Sequence, residues 1–257
     1  MIIDGRTLET QRWGPGPDQA PTLVLLHEGL GCVALWRDVP ELLAAATGCG
    51  VFAYSRFGYG ASDRVALPRP MTYMHDEALT ILPRVLDAAG IRQAVLVGHS
   101  DGGSIATIHA GAVQDERVVG AVLIAAHFFV EALNIASIRE IKAAYEQGDL
   151  RARLAKYHRD VDVAFRGWND AWLDPRFEKF DITGYAARIR VPVLALQGAD
   201  DPYGTPEQLR VLERSASCPL EARLIADARH SPHLEAKDAT LAAIVPFVRS
   251  TLLDKAA

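Results

Sequence analysis

Six short apolar runs punctuate the chain, at residues 22–26, 51–54, 94–97, 118–125, 193–197 and 222–225. Each is continuously apolar and does not alternate, which is the pattern of strands buried on both faces. Longer stretches with helical spacing separate them. In residues 74–89, for example, Ala78, Leu82, Val85, Leu86 and Ala89 share one face. Pro83 interrupts that pattern and predicts a kink or an early end. Strands alternating with helices predict an α/β fold: a mainly parallel central sheet with right-handed crossovers placing helices on both faces.

The alternation fails once. Residues 128–190 carry helix-like segments, no convincing strand, and ten of the 19 aromatic residues. A helical cap inserted into a core domain of residues 1–127 and 191–257 is the economical reading. Most of these rings are expected to pack the cap onto the body. Trp168 and Trp172, four apart and therefore on one helical face, are the candidates to line a pocket.

The segment with the most chemistry is Val95-Leu96-Val97-Gly98-His99-Ser100-Asp101-Gly102-Gly103. A buried strand runs into G-x-S-x-G and a helix follows, the context in which this motif holds a nucleophile at a strained turn. Glycines at 98 and 102 let neighbouring backbone close around Ser100. A serine hydroxyl needs a base, and the base needs an orienting group. Downstream come Gly198-Ala199-Asp200-Asp201-Pro202, a carboxylate turn at a strand end, and Asp227-Ala228-Arg229-His230-Ser231-Pro232-His233, a histidine loop before the last helix.

Together with Ser55-Arg56-Phe57-Gly58-Tyr59-Gly60-Ala61-Ser62, these motifs make the chain resemble an α/β-hydrolase over essentially its whole length. The resemblance implies Ser100 as nucleophile, His230 as general base and acid, and Asp201 as the orienting carboxylate. Asp200 and His233 are the competitors for the last two roles. It also implies an oxyanion hole built from the backbone N–H groups of Asp101 and of Gly29, with Glu28 and Leu30 as alternatives to Gly29. In His27-Glu28-Gly29-Leu30-Gly31 the chain departs from the family, placing Glu28 where glycine is common.

Two acids, Glu28 and Asp101, thus flank the expected oxyanion. Their side chains are expected to turn away, to have raised pKa values through burial, or to bind substrate or a water. Capture of Glu28 by nearby backbone N–H groups is the simplest of these. His27, His75, His99, His109, His127 and His158 read as structural or surface residues, with His127 standing also beside Glu28, Trp168 and Trp172 among the candidate substrate-binding residues.

Charge and cysteine usage narrow the class. With 27 basic and 32 acidic residues the formal net charge is -5, the wrong sign for a nucleic-acid or anionic-membrane binder. The longest apolar run, residues 118–126, is far short of the roughly 20 residues that span a bilayer, and the start lacks a signal-peptide pattern. A cytoplasmic protein with a small-molecule substrate is expected, and a homodimer is left open. Cys32, Cys49 and Cys218 form no C-x-x-C pair and suggest neither a disulfide framework nor a metal site. No cofactor is implied.

The expected activity is hydrolysis of a small or medium carboxylic ester or lactone, with an apolar or ring-bearing substrate favoured by the aromatic-rich insertion. Hydrolysis of a carbon–carbon bond in a diketone is the runner-up. A thioesterase comes third, because the insertion's 11 Lys and Arg are offset by ten Asp and Glu. A non-catalytic ligand receptor on the same fold is the alternative from another class.

Overall fold

The computed structural model describes residues 1–253. Its chain opens with β1 (Ile2–Ile3) and β2 (Arg6–Thr7), an isolated antiparallel pair, followed by β3 (Thr10–Trp13), β4 (Thr22–Leu26), helix α1 (Val39–Thr47) and β5 (Gly50–Tyr54). Helices α2 (Tyr73–Asp76) and α3 (Leu82–Ala88) precede β6 (Ala94–His99), α4 (Asp101–Ala112) and β7 (Val118–Ile124). After β7 come α5 (Ala132–Gln147), α6 (Leu150–Leu154), α7 (Val161–Trp172) and α8 (Thr183–Ala186). The chain ends with β8 (Val193–Gly198), α9 (Glu207–Ser215), β9 (Leu220–Ile225), α10 (Pro232–Glu235) and α11 (Lys237–Leu253).

Seven strands form one sheet in the order β3-β5-β4-β6-β7-β8-β9, parallel except for β3. All six strands expected from the apolar runs are present. Five of them are continuous because successive side chains feed two different cores. Leu23, Leu25, Val95 and Val97 enter the core shared with α1 and α11, while Val24, Leu26 and Leu96 enter the larger core under α3 and α4. The run at 222–225 departs from the expectation of burial on both faces. It belongs to β9, the edge of the sheet, where Leu224 is 50% exposed.

Pro83 does not end its helix, which runs on to Ala88. A π-helical turn over Glu77–Ile81 precedes it, with the Leu82 N–H reaching back to the Glu77 carbonyl, so Pro83 falls within the first turn of α3. A proline has no N–H to lose at that position.

Residues 128–190 contain helices and no strand, apart from a single bridge between Phe129 and Asp181. Glu131 and Asn134 cap α5 reciprocally, and Asp160 accepts from the Val163 N–H to start α7. Many of the rings pack on one another: Tyr145 stacks on Phe165 with centroids 3.6 Å apart, and Phe177 on Phe180 at 5.0 Å. No helix among the described residues is long and apolar enough to cross a membrane.

Candidate active site

Strand β6 delivers the chain into a turn that only small residues allow. A Cβ on Gly98 would lie 2.2 Å from the Gly102 carbonyl oxygen, and one on Gly102 would lie 1.9 Å from that of Leu26. Ser100 adopts φ 52° and ψ -118°, a conformation that costs a non-glycine residue about 1–3 kcal/mol. The surroundings that impose it set the Ser100 side chain at the end of β6, just before α4, with the residue 6% exposed.

Two loops from the far side of the sheet meet this serine. Asp201 follows β8 and His230 follows β9. His230 Nε2 lies 3.0 Å from Ser100 Oγ, and its Nδ1 lies 2.9 and 3.0 Å from the two Asp201 carboxylate oxygens. Burial opposes the charge on Asp201, but the hydrogen bond and charge of His230 and the Tyr203 N–H outweigh it and lower its pKa. Asp200 is exposed and its side chain takes no part. His233 is buried between Trp36 and His99, 5.1 and 4.6 Å away by ring centroid, where burial drives its pKa well down. The structure therefore brings together Ser100, Asp201 and His230 and leaves out both competitors.

The loop after β4 is set by a buried arginine. Arg56, 2% exposed, donates through Nη1 to the His27 carbonyl and through Nη2 to that of Glu28 at 2.9 Å. His27 Nδ1 also lies 2.7 Å from the Glu28 oxygen, and its Nε2 accepts the Arg56 N–H. In a trans peptide the N–H points opposite to the C=O, so the Gly29 N–H is turned away from Arg56, and Gly29 lines the cavity beside Ser100. Among the described residues, neither the Gly29 nor the Asp101 N–H has a protein acceptor. A Cβ on Gly29 would lie 2.1 Å from Trp168 Nε1, so α7 sits directly on this loop.

Both flanking acids are turned to partners of their own. The Asp101 carboxylate is fully buried and accepts from Tyr73 Oη at 2.6 Å and Trp172 Nε1 at 3.2 Å, with Arg56 4.0 Å away. Burial raises its pKa despite that company. Glu28 behaves oppositely. Burial again works against its charge, but His99, whose Nδ1 is 3.5 Å from Oε2, holds the carboxyl well below the usual range, with a smaller contribution from its own backbone N–H. The expectation of a raised pKa is thus corrected for Glu28. On its other edge His99 Nε2 lies 2.7 Å from the His230 carbonyl. A carbonyl only accepts, so that nitrogen carries a proton, and His99 links the loop of Glu28 to the loop of His230.

A cavity of about 140 Å³ opens over Ser100, lined by Glu28, Gly29, His127, Trp168, Trp172 and His230, among others. Every residue expected to bind substrate is in its wall. Sequence reasoning missed Tyr203, which lies in the wall beside Asp201, and three residues behind it: Arg56 and Tyr73 under the Glu28–Gly29 loop and the Ser100 turn, and Asn134 beside His127. Arg56 alone left a signal, a charged side chain two positions after a buried strand.

The family model of the alpha/beta hydrolases matches residues 23–243. A non-heme chloroperoxidase of Streptomyces lividans is 28% identical over 260 residues, covering 88% of this chain and 87% of the relative. A bifunctional esterase/perhydrolase of Acinetobacter calcoaceticus is 26% identical, covering 77% of this chain and 80% of the relative. Among solved structures, the enol-lactonase of Burkholderia xenovorans LB400 superposes with a TM-score of 0.73 at 22% identity, covering 96% of this chain and 98% of that one; at that identity the likeness speaks for the fold. With a seven-stranded mainly parallel sheet, helices on both faces and a family match across most of its length, the chain belongs to the alpha/beta hydrolase family.

Proposed function

We propose that the protein is a serine hydrolase of a small carboxylic ester or lactone, acting through an acyl-enzyme. The observation that carries this reading is the line Ser100 Oγ, His230 Nε2, His230 Nδ1, Asp201 carboxylate, with steps of 3.0 and 2.9 Å, at the wall of a cavity that also holds two unpaired backbone N–H groups. Ser100 Oγ attacks the carbonyl while His230 Nε2 takes its proton. The Gly29 and Asp101 N–H groups meet the oxyanion. His230 returns the proton to the leaving alkoxide and then activates the water that frees the acid. Residues 128–190 act as a cap on a core of residues 1–127 and 191–257, closing the cavity against bulk water.

Cavity size and lining argue for a compact apolar or ring-bearing group. An apolar cavity of about 150 Å³ takes up benzene, close to the 140 Å³ found here, and the wall includes Leu30, Ile138, Ile141, Leu150, Trp168 and Trp172. The relative named an esterase/perhydrolase supports an ester as substrate. The test is a panel of aryl and alkyl esters, lactones, thioesters and ring-cleavage diketones. Ester or lactone turnover should exceed diketone turnover by at least about a hundredfold in kcat/KM, roughly 3 kcal/mol of differential transition-state binding. Turnover of the diketones alone, or of nothing on the panel, contradicts the proposal.

The pH profile separates Glu28 from the proton-transfer machinery. A carboxyl held well below the usual range is ionised at every pH above it, so it contributes no rising limb between pH 5 and 8. Glu28→Gln is expected to preserve the shape of the kcat/KM profile in that window while lowering its height by about tenfold, through the slackened His99 contact with the His230 loop. Loss of an inflection in the variant contradicts this assignment.

A further inference from the structure

One imidazole in the cavity wall is unused by the proposed reaction, and its proton is fixed by geometry. The Glu131 N–H donates to Asn134 Oδ1, which sets the orientation of that amide. Asn134 Nδ2 then faces His127 Nδ1 at 3.1 Å and the Tyr203 carbonyl. An amide NH₂ only donates, so His127 Nδ1 is an acceptor and the ring carries its proton on Nε2. Burial, reinforced by the neighbouring His230, pushes the His127 pKa down to about 3. The ring is therefore neutral throughout the ordinary working range, with a donor that never titrates away.

Its surroundings leave that donor for a ligand. The His127 ring stacks beside His230 with centroids 5.7 Å apart and meets Trp172 edge-on at 5.3 Å. The main chain is anchored from behind, with the His127 carbonyl accepting from Ser104 Oγ at 2.7 Å. Among the described residues Nε2 has no protein partner, while the residue lines the cavity over Ser100. A buried donor in a mainly apolar wall discriminates strongly, because a substrate without an acceptor leaves it unpaired.

We propose that His127 is a specificity-determining residue whose Nε2–H binds a second oxygen of the substrate, placed one or two bonds from the scissile carbonyl. The preferred substrates are then esters or lactones bearing an oxo, hydroxy or alkoxy oxygen beside the reacting group. This rests on the reading of Ser100 as the nucleophile.

The test compares matched ester pairs with and without that oxygen, one pair carrying it on the acyl side and one on the alcohol side, in wild type and in His127→Phe and His127→Gln. Dividing wild-type by variant ratios cancels the intrinsic reactivity of each ester. His127→Phe, which lacks a donor, should reduce the preference for the oxygenated member by about ten- to hundredfold in one of the two pairs, mainly through KM. His127→Gln, which keeps an N–H donor, should restore part of it. In ¹⁵N NMR the wild-type ring should show a single protonated nitrogen, Nε2, from pH 5 to 8. Every protein is first titrated with a serine-directed fluorophosphonate, so that absence of labelling in wild type marks failure of the nucleophile assignment. If labelling is normal and the ratios are the same in wild type and His127→Phe, or if the ring titrates within that range, the role of His127 is overturned while the proposed function stands.

Discussion

Ser100→Ala is expected to lower kcat by about 10⁴ to 10⁶ on any substrate the wild type turns over. On the proposed route all covalent chemistry passes through one oxygen, Ser100 Oγ, 3.0 Å from His230 Nε2, the proposed proton acceptor. What remains in the variant is binding by the cavity and the two backbone donors, which alone leave only a small residue of catalysis. Alanine fits where serine was, and φ 52° is as awkward for one as for the other, so thermal unfolding should change little. Comparing kcat and melting temperature of the two proteins separates loss of chemistry from loss of fold. A tenfold loss in a well-folded variant contradicts the assignment.

Asp201→Asn is expected to cost about 10⁴ in kcat, the size seen when such a carboxylate becomes an amide. Both Asp201 oxygens face His230 Nδ1, at 2.9 and 3.0 Å, and hold a proton on that side so that Nε2 is free to accept from Ser100. An amide can present its NH₂ to Nδ1 instead, which forces the proton onto Nε2 and reverses the acceptor into a donor. Its lowered pKa also ties Asp201 to stability. A carboxyl depressed on folding adds stability above its unfolded value of about 3.9, and this is lost as pH falls through the folded value. Asp200→Asn, at an exposed position on the neighbouring residue, should stay within about twofold of wild type. Measuring kcat for both variants with one substrate decides between them, since the reverse ranking moves the orienting role to Asp200.

Much of this was legible in the sequence because it is local. The strands at 22–26 and 94–97 announce themselves by apolar runs filled on both sides, and the G-x-S-x-G turn by glycines that a backbone clash at 98 and 102 demands. The choice of Asp201 over Asp200 and of His230 over His233 came from the resemblance to the family, and in the structure His230 lies 2.9 Å from Asp201 and 3.0 Å from Ser100. Less was legible where partners lie far apart. Thr10–Trp13 is a polar edge strand, antiparallel to β5, with no apolar run to mark it. Exposure of β9 follows from its place at the sheet's edge, which its own composition does not state. The destinations of the Asp101 and Glu28 carboxylates depend on Tyr73, Trp172 and His99, positions 28, 71 and 71 residues away in the chain respectively. Arg56 is the sharpest omission, for its two bonds to the His27 and Glu28 carbonyls aim the Gly29 N–H, and only the folded loop reveals them.

The central claim, that Ser100 is an activated nucleophile, is tested most directly by the site of covalent modification. A fluorophosphonate added in slight excess should shift the intact mass of the wild-type protein by one adduct, and peptide mapping should place it on the peptide containing Ser100 and abolish hydrolysis in step with labelling. His230→Ala should slow labelling by orders of magnitude, because the serine proton then has no acceptor. An unchanged mass, or an adduct on any other residue, contradicts the account.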